Sequence, residues 1–509
     1  MAAYPVLTFP ELPAIDVMLM ERQNEPPLGA GESASVPSAA AIVNAVFDAT
    51  GVRFRELPLT PERVLAGLNG RPILAAPPQT SPKRRLGFWS KLGATAAAAA
   101  TFAAVSFPLA PEIAPIARPG PGTWSAATIE RGRQLAALGA CAVCHTGKDG
   151  APYAGGLALE TPFGTVMTTN ITPDPKTGIG NWSYPAFERA MRAGIHRDGS
   201  QLYPAFPYTN FAKTTDADMQ ALYAFLMSQP AVSRANEPSK LVFPFNLRPP
   251  MAVWNLVYNR ATLKPDPARS AEWNRGRYLV DGLGHCSACH SPRNAVGAVK
   301  AGTSYLAGGE AEGWDAPALT AASHSPIPWG ENDFYTYLRT GHSPQHGTAL
   351  GPMAPVIDEL KALPDADIRA MSVYLASLTS ALPEAEAAAR SETLLKETAS
   401  AGHLAASPAA RLYEGACAAC HQPGRIAPLA NQGPALGLSG KIHASTPNNL
   451  VRVLLEGGHG SGQMPAFGKA LDDKQIAELA IYLRSRFAPA QPAWNGVAET
   501  VGKARAALR

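Results

Sequence analysis

Six cysteines occur in this chain, and all of them fall in three copies of one pentapeptide: Cys141-Ala-Val-Cys144-His145, Cys286-Ser-Ala-Cys289-His290 and Cys417-Ala-Ala-Cys420-His421. Two thiols one helical turn apart can form thioethers to the vinyl groups of a haem, and the adjoining histidine then becomes an iron ligand. The pattern therefore specifies covalent attachment of three c-type haems, with His145, His290 and His421 as proximal ligands. Two other chemistries use closely spaced cysteines. A zinc ribbon needs a second CxxC roughly 15 to 20 residues away or a trailing HxxxH, whereas these copies lie 145 and 131 residues apart. A disulfide within each CxxC gives no reason for a histidine after every copy.

Positioning three such turns requires helices, and the chain repeats those too. Each motif follows a short amphipathic segment: TIERGRQLAALGA, AEWNRGRYLVDGLGH and ARLYEGA. Each is followed, later in its repeat, by TDADMQALYAFLMSQP from Thr215, PDADIRAMSVYLASLTS from Pro364, or LDDKQIAELAIYLRSRF from Leu471. An acidic start with apolar residues at i, i+3, i+4 and i+7 predicts a capped amphipathic helix. A tandem array of three all-α domains follows from the repetition.

An electron-transfer haem normally takes a sixth ligand, and methionine opposite histidine raises its potential. Met353 in GTALGPMAPV and Met464 in GSGQMPAFG stand 22 and 19 residues before equivalent leucines of the closing helices, Leu375 and Leu483. Both lie in Gly/Pro-rich loops, which assigns them as axial ligands. Met191, Met219, Met227 and Met371 fall on helix faces and read as core. The first repeat breaks the pattern, because the matching count back from Leu226 lands on Phe206 in LYPAFPYTNF. Four outcomes stay open there: Met167 of FGTVMTTN fills the place, His196 does, another residue folds in, or the iron stays five-coordinate, which would permit peroxide chemistry.

The length of 509 residues exceeds what one core usually supports. A charged fraction of 17% with 48 Pro and 45 Gly suggests short helices and irregular loops, and a net charge of +4 gives no case for nucleic-acid binding. The one basic cluster, Lys83-Arg84-Arg85, precedes an uncharged, Ala-rich stretch from Leu92 to Ala110. As a helix it would reach about 28 Å, near the thickness of a bilayer core. This predicts a single inner-membrane span with the N-terminus inside and the haem domains in the periplasm. The resulting layout is 1–82 tail-like segment, 83–112 basic cluster and anchor, 123–231 first haem domain, 232–267 linker, 268–380 second, 381–407 linker, 408–490 third and 491–509 tail.

The run from about Ala126 to Phe487 resembles the multihaem cytochrome c subunits of bacterial membrane-bound alcohol and gluconate dehydrogenases. The match is carried by TPFGTVMTTNITPDPKTGIGNWSYPAFERAMRAGIHRDGSQLYPAFPY, Thr161 to Tyr208. In that family LYPA-x-PY carries the first haem's methionine, so Phe206 is a departure. Residues Pro26 to Val64, PPLGAGESASVPSAAAIVNAVFDATGVRFRELPLTPERV, resemble the C-terminal end of the molybdopterin subunit of the xanthine dehydrogenase family. There a Gly-Glu pair supplies the carboxylate that activates a molybdenum-bound water, and Gly31-Glu32 holds that position. Together the two resemblances imply the C-terminal part of a nicotinate dehydrogenase-like fusion. The expected fold is all-α: three tandem cytochrome c domains, preceded by a membrane helix and a short α+β fragment. The expected role is electron transfer from a dehydrogenase catalytic subunit to quinone or a terminal oxidase. That dehydrogenase is a molybdenum hydroxylase with a small iron-sulfur subunit, or one acting on alcohols, aldehydes or sugars. The alternative is a peroxidase-like enzyme at an open first haem.

Overall fold

The computed structural model describes residues 38–55, 61–70, 110–120, 122–259, 263–400, 407–421, 435–458 and 464–508. It divides into two compact units, residues 1–97 and 98–509. The first contains helices α1 (Ser38–Thr50) and α2 (Pro61–Leu68), and Phe54 is buried within it. No strand occurs among its described residues, in place of the short α+β fragment expected there. Gly31, Glu32 and the basic cluster Lys83-Arg84-Arg85 lie outside the described residues.

The second unit is built on three pairs of crossing helices, counting helices of eight residues or more. The first pair is α3 (Ala126–Leu138) and α5 (Asp216–Ser228), with α4 (Tyr184–Ala193) between them in sequence. After α6 (Pro250–Tyr258), the second pair is α7 (Ala271–Asp281) and α10 (Asp365–Ala376), enclosing α8 (Glu331–Thr340) and α9 (Met353–Leu360). After α11 (Glu384–Ser400), the third is α12 (Pro408–Ala416) and α14 (Asp473–Phe487), enclosing α13 (Asn448–Glu456) and followed by α15 (Val497–Ala507).

The caps follow the sequence at most starts. Ser125, Ser270 and Ser407 accept the backbone N–H three residues on, Thr215 does the same for Asp218, and Asp472 forms a reciprocal box with Gln475. Pro364 has no side chain that can cap, so α10 begins with only Asp365 and Asp367 to complement its dipole.

The Arg-Gly-Arg shared by the first two repeats has a packing cause. A Cβ on Gly132 would stand 2.0 Å from the Ala221 carbonyl oxygen, and one on Gly276 would stand 1.8 Å from that of Ala370. Glycine lets each N-terminal helix press its backbone against the closing helix. One hydrophobic cluster then runs through both pairs, joining Leu135, Leu138 and Leu222 to Leu279, Leu283 and Leu375. The third pair has a separate core, in which Tyr413, Leu454 and Leu483 meet Val497 and Val501 of α15. Met191, Met219, Met227 and Met371 are buried.

The all-α expectation needs a correction, since short antiparallel sheets are inserted between the helices. Strands β1 (Ala158–Thr161), β2 (Gly164–Met167) and β3 (Lys240–Leu241) form one sheet. Strands β4 (Gly309–Ala311) and β5 (Trp314–Ala316) form a second, and β6 (His342–Ser343) with β7 (Gly347–Thr348) a third. They arise in Gly-rich stretches with positive φ at the turns, such as Gly164 and Gly313.

The membrane localisation is also corrected. Among the described residues no helix is long and apolar enough to cross a membrane. Residues 92–109, on which the expected inner-membrane span and hence the periplasmic placement rest, lie outside the described residues.

Candidate haem-attachment sites

Each CxxCH motif folds as one turn of helix. The first spans Cys141–Cys144, the second Ser287–His290 and the third Ala418–His421. In each the histidine N–H returns to the carbonyl of the first cysteine, at 2.9, 2.9 and 3.0 Å. Residues i and i+3 share a helix face and i+4 lies beside them, so the two thiols and the imidazole of each motif lie on one side of the turn. The residue before the first cysteine is left-handed in both earlier copies, Ala140 at φ 47° and His285 at φ 37°. For a non-glycine residue that conformation is strained and is held by its surroundings.

The imidazoles are oriented from behind. His145 Nδ1 lies 2.6 Å from the carbonyl oxygen of Thr169, and His290 Nδ1 lies 2.7 Å from that of Pro317. A carbonyl only accepts, so each Nδ1 carries the proton and each Nε2 keeps its lone pair for a metal. Burial lowers the pKa of both rings against these bonds, which favours the neutral, ligating form. Thr169 follows β2 and Pro317 follows β5, so matching hairpins hold the two rings. The corresponding stretch after His421, residues 422–434, lies outside the described residues.

All six thiols are free. Burial pushes Cys141 and Cys286 up to about 12 and Cys144 and Cys417 up to about 11, and it raises Cys289. Among the described residues no three His, Cys, Asp or Glu side chains form a group that could hold a metal ion. A haem attached by thioethers fits the helical turn of each motif and the Nε2 atoms that His145 and His290 keep for a metal.

The first two turns lie against each other. A Cβ on Gly139 would stand 3.3 Å from Leu283 Cγ, and one on Gly284 3.2 Å from Leu138 Cδ1. After burial, the Glu312 carboxylate and Cys289 also raise the Cys144 thiol. Asn210 crosses between the two repeats, donating to the Asp281 carbonyl at 2.9 Å and to Ser287 Oγ at 3.1 Å. Lys213 donates to the same carbonyl at 2.9 Å. Sequence reading missed this contact, since helical periodicity marks a buried face without naming its partner.

The axial candidates divide. Met353 is half-buried, opens helix α9 rather than lying in a loop, and packs against the shared core. Met464 is half-buried in extended chain against the third core. Phe206 packs against the shared core as Met353 does, with Phe211 at 5.3 Å and Tyr208 at 6.3 Å between ring centroids. Met167 ends β2, two residues before the carbonyl that holds His145, and so belongs to the hairpin behind that ring. His196 is engaged elsewhere: Nδ1 lies 2.9 Å from the Asp198 carboxylate and the ring stands edge-on to Trp182 at 4.8 Å.

The cytochrome c family model matches residues 129–230, and the model for subunit III of cbb3-type cytochrome c oxidase matches residues 405–483. A nicotinate dehydrogenase subunit of Pseudomonas putida is 54% identical over 99% of this chain and 42% of its own length, so the chain spans less than half of that relative. The fructose dehydrogenase cytochrome subunit of Gluconobacter japonicus is 38% identical, covering 73% of this chain and 82% of the relative. The gluconate 2-dehydrogenase cytochrome c subunit of Pantoea cypripedii is 36% identical over 74% and 88%. With matches of this extent and attachment turns of this geometry, the chain belongs to the family of dehydrogenase cytochrome c subunits, which carry covalently bound haem c.

Proposed function

We propose that the chain is a three-haem electron carrier which takes electrons from a partner dehydrogenase and passes them to a downstream acceptor such as quinone or a terminal oxidase. The observation that carries this reading is the packing of Leu138 and Gly139, which lead into the first CxxCH turn, against Leu283 and Gly284, which lead into the second, within one continuous core. Haem bound at Cys141/Cys144, Cys286/Cys289 and Cys417/Cys420 would supply reversible one-electron chemistry. The chain's own residues do the rest. Thr169 and Pro317 fix His145 and His290, Met353 and Met464 complete two of the iron sites, and the shared core excludes water.

A molybdenum hydroxylase with a small iron-sulfur subunit is the partner we favour. The 54% match to the nicotinate dehydrogenase subunit runs through the N-terminal residues, whereas the sugar-oxidising relatives align with about three quarters of the chain. Gly31-Glu32 would then contribute to that partner's molybdenum site. Haem staining and pyridine haemochrome titration test the count: three haems per chain are expected, falling to two when Cys141 and Cys144, Cys286 and Cys289, or Cys417 and Cys420 become alanine. Copurification with a quinoprotein or flavoprotein alone would overturn the molybdenum partner while leaving the carrier role intact.

A second reading, peroxide chemistry at the first haem, is supported by Phe206 standing at the sequence position of the axial methionine, while Met167 ends β2 and His196 bonds to Asp198. One high-spin ferric haem that binds cyanide is its signature.

A further inference from the structure

The turn between β4 and β5 is where the second and third helical repeats meet. The third repeat grips the same hairpin from α13. Asn449 brackets the Asp315 backbone, accepting from its N–H at 2.9 Å and donating to its carbonyl at 2.7 Å. Asn448 donates to the Gly313 carbonyl at 2.9 Å and to Asp315 Oδ1 at 3.1 Å, and Thr446 donates to the other carboxylate oxygen. Arg452 lies over the Trp314 ring, 5.6 Å from its centroid.

From there the contacts reach both sides of the second attachment site. Pro317, two residues after Asp315, holds His290 by its carbonyl. The buried Trp314 ring fills the space beneath Gly351, where an added Cβ would stand 2.5 Å from it, and Met353 is two residues further on. Strands of three residues cannot hold such a scaffold alone, because an isolated two-stranded hairpin is marginal in water. In the first repeat the counterpart hairpin is braced by its own chain: Arg234 donates to the Gly155 carbonyl at 2.9 Å, Asn236 accepts from the Asn170 N–H at 2.7 Å, and β3 extends the sheet. In the second repeat α13 of the third provides that support.

We propose that the third repeat is a positioning element for the second haem: its grip on Gly313, Trp314 and Asp315 fixes at once the strand that holds His290 and the loop that delivers Met353. This rests on the three-haem reading and on Met353 as a ligand. The experiment compares full-length ferric wild type with Asn448→Ala/Asn449→Ala, Arg452→Ala and Arg452→Lys by the near-infrared methionine-to-iron charge-transfer absorption. The second haem's share is defined as the part that Met353→Leu removes, and the third's as the part that Met464→Leu removes. The expected result is a several-fold loss of the second haem's share in the asparagine double variant. Arg452→Ala should show a smaller loss that Arg452→Lys restores, with three haems per chain and the third haem's share unchanged throughout. A full second-haem share in the asparagine variant, or a loss falling equally on the third haem, would overturn the inference. A wild-type count below three, or no absorption lost with Met353→Leu, would instead overturn the reading beneath it.

Discussion

Arg131 of the first helical pair reaches Asp367 of the second, Nη1 to Oδ2 3.4 Å, across 236 residues of sequence. The same guanidinium holds Asp218 through Nε and Nη2 at 2.9 and 3.0 Å, while Arg275 holds Asp367 at 2.8 and 2.9 Å and Tyr278 donates to Asp218 at 2.8 Å. The two helix pairs are thus joined along a seam by Arg131 reaching Asp367 in one direction and Tyr278 reaching Asp218 in the other. Asp367→Ala should leave two arginines facing each other with their shared anion removed. Breaking a fully buried pair costs about 3–5 kcal/mol, and with both arginines near one-third exposed a loss of about 2 kcal/mol is expected in urea unfolding of the haem-loaded protein. An unchanged midpoint would show that the seam is held by the core alone.

Asp218 gives that seam a pH dependence. Burial acts to raise its pKa, but the hydrogen bond and charge of Arg131, the Tyr278 hydroxyl and the Arg275 charge outweigh it, and the net shift is downward. A carboxyl lower in the folded than in the unfolded chain contributes stability that is complete above the unfolded pKa, about 3.9, and is lost as pH falls through the folded one. Wild type should therefore lose stability more steeply below about pH 4 than Asp218→Asn does, the variant being the weaker of the two at neutral pH. Parallel curves from pH 6 to pH 2.5 would remove Asp218 from the account.

Gly132 and Gly276 make the sharpest steric forecast. Either alanine variant places a methyl group within 2 Å of a backbone carbonyl, which the crossing helices accommodate only by moving apart. Overpacking of this kind costs about 1–3 kcal/mol, occasionally more. Gly415, in the third N-terminal helix, has nothing within 4 Å of its added Cβ, so Gly415→Ala should be neutral or slightly stabilising. Chemical unfolding of the three variants checks the ranking, and equal effects would contradict it.

The contrast among these glycines marks how far the sequence could be read. The attachment turns were legible because two cysteines and a histidine recur together at fixed spacing, and the caps at Thr215 and Asp472 because an oxygen acceptor precedes an acidic or amide residue by a set interval. The hairpins behind His145 and His290 were not, since GGLALETPFGTVMTT and GGEAEGWDAPA lack the alternation that marks a half-buried strand. The shared core was hidden for another reason: Leu138 and Leu283 each show a buried face, and nothing local tells that they face each other. Met353 was found as a residue and misplaced as a loop, because Pro352 and Gly351 read as turn while α9 starts directly after them.

Phe206 offers the most direct test of the site. It and Met353 occupy matching places, each a short stretch beyond a left-handed glycine that ends a helix, Gly194 after α4 and Gly341 after α8, and both pack against the same cluster. A thioether is slimmer than a phenyl ring and adapts to irregular space, so Phe206→Met should be accommodated with a loss under about 1.5 kcal/mol. If Phe206 lines the face opposite His145, the variant should gain a methionine-to-iron absorption, lose a high-spin ferric component and bind cyanide more weakly. The first haem's potential should also rise, because methionine opposite histidine stabilises the reduced form. Unchanged spectra and cyanide affinity would mean that another residue already fills the site, and Met167→Leu and His196→Ala would then show which.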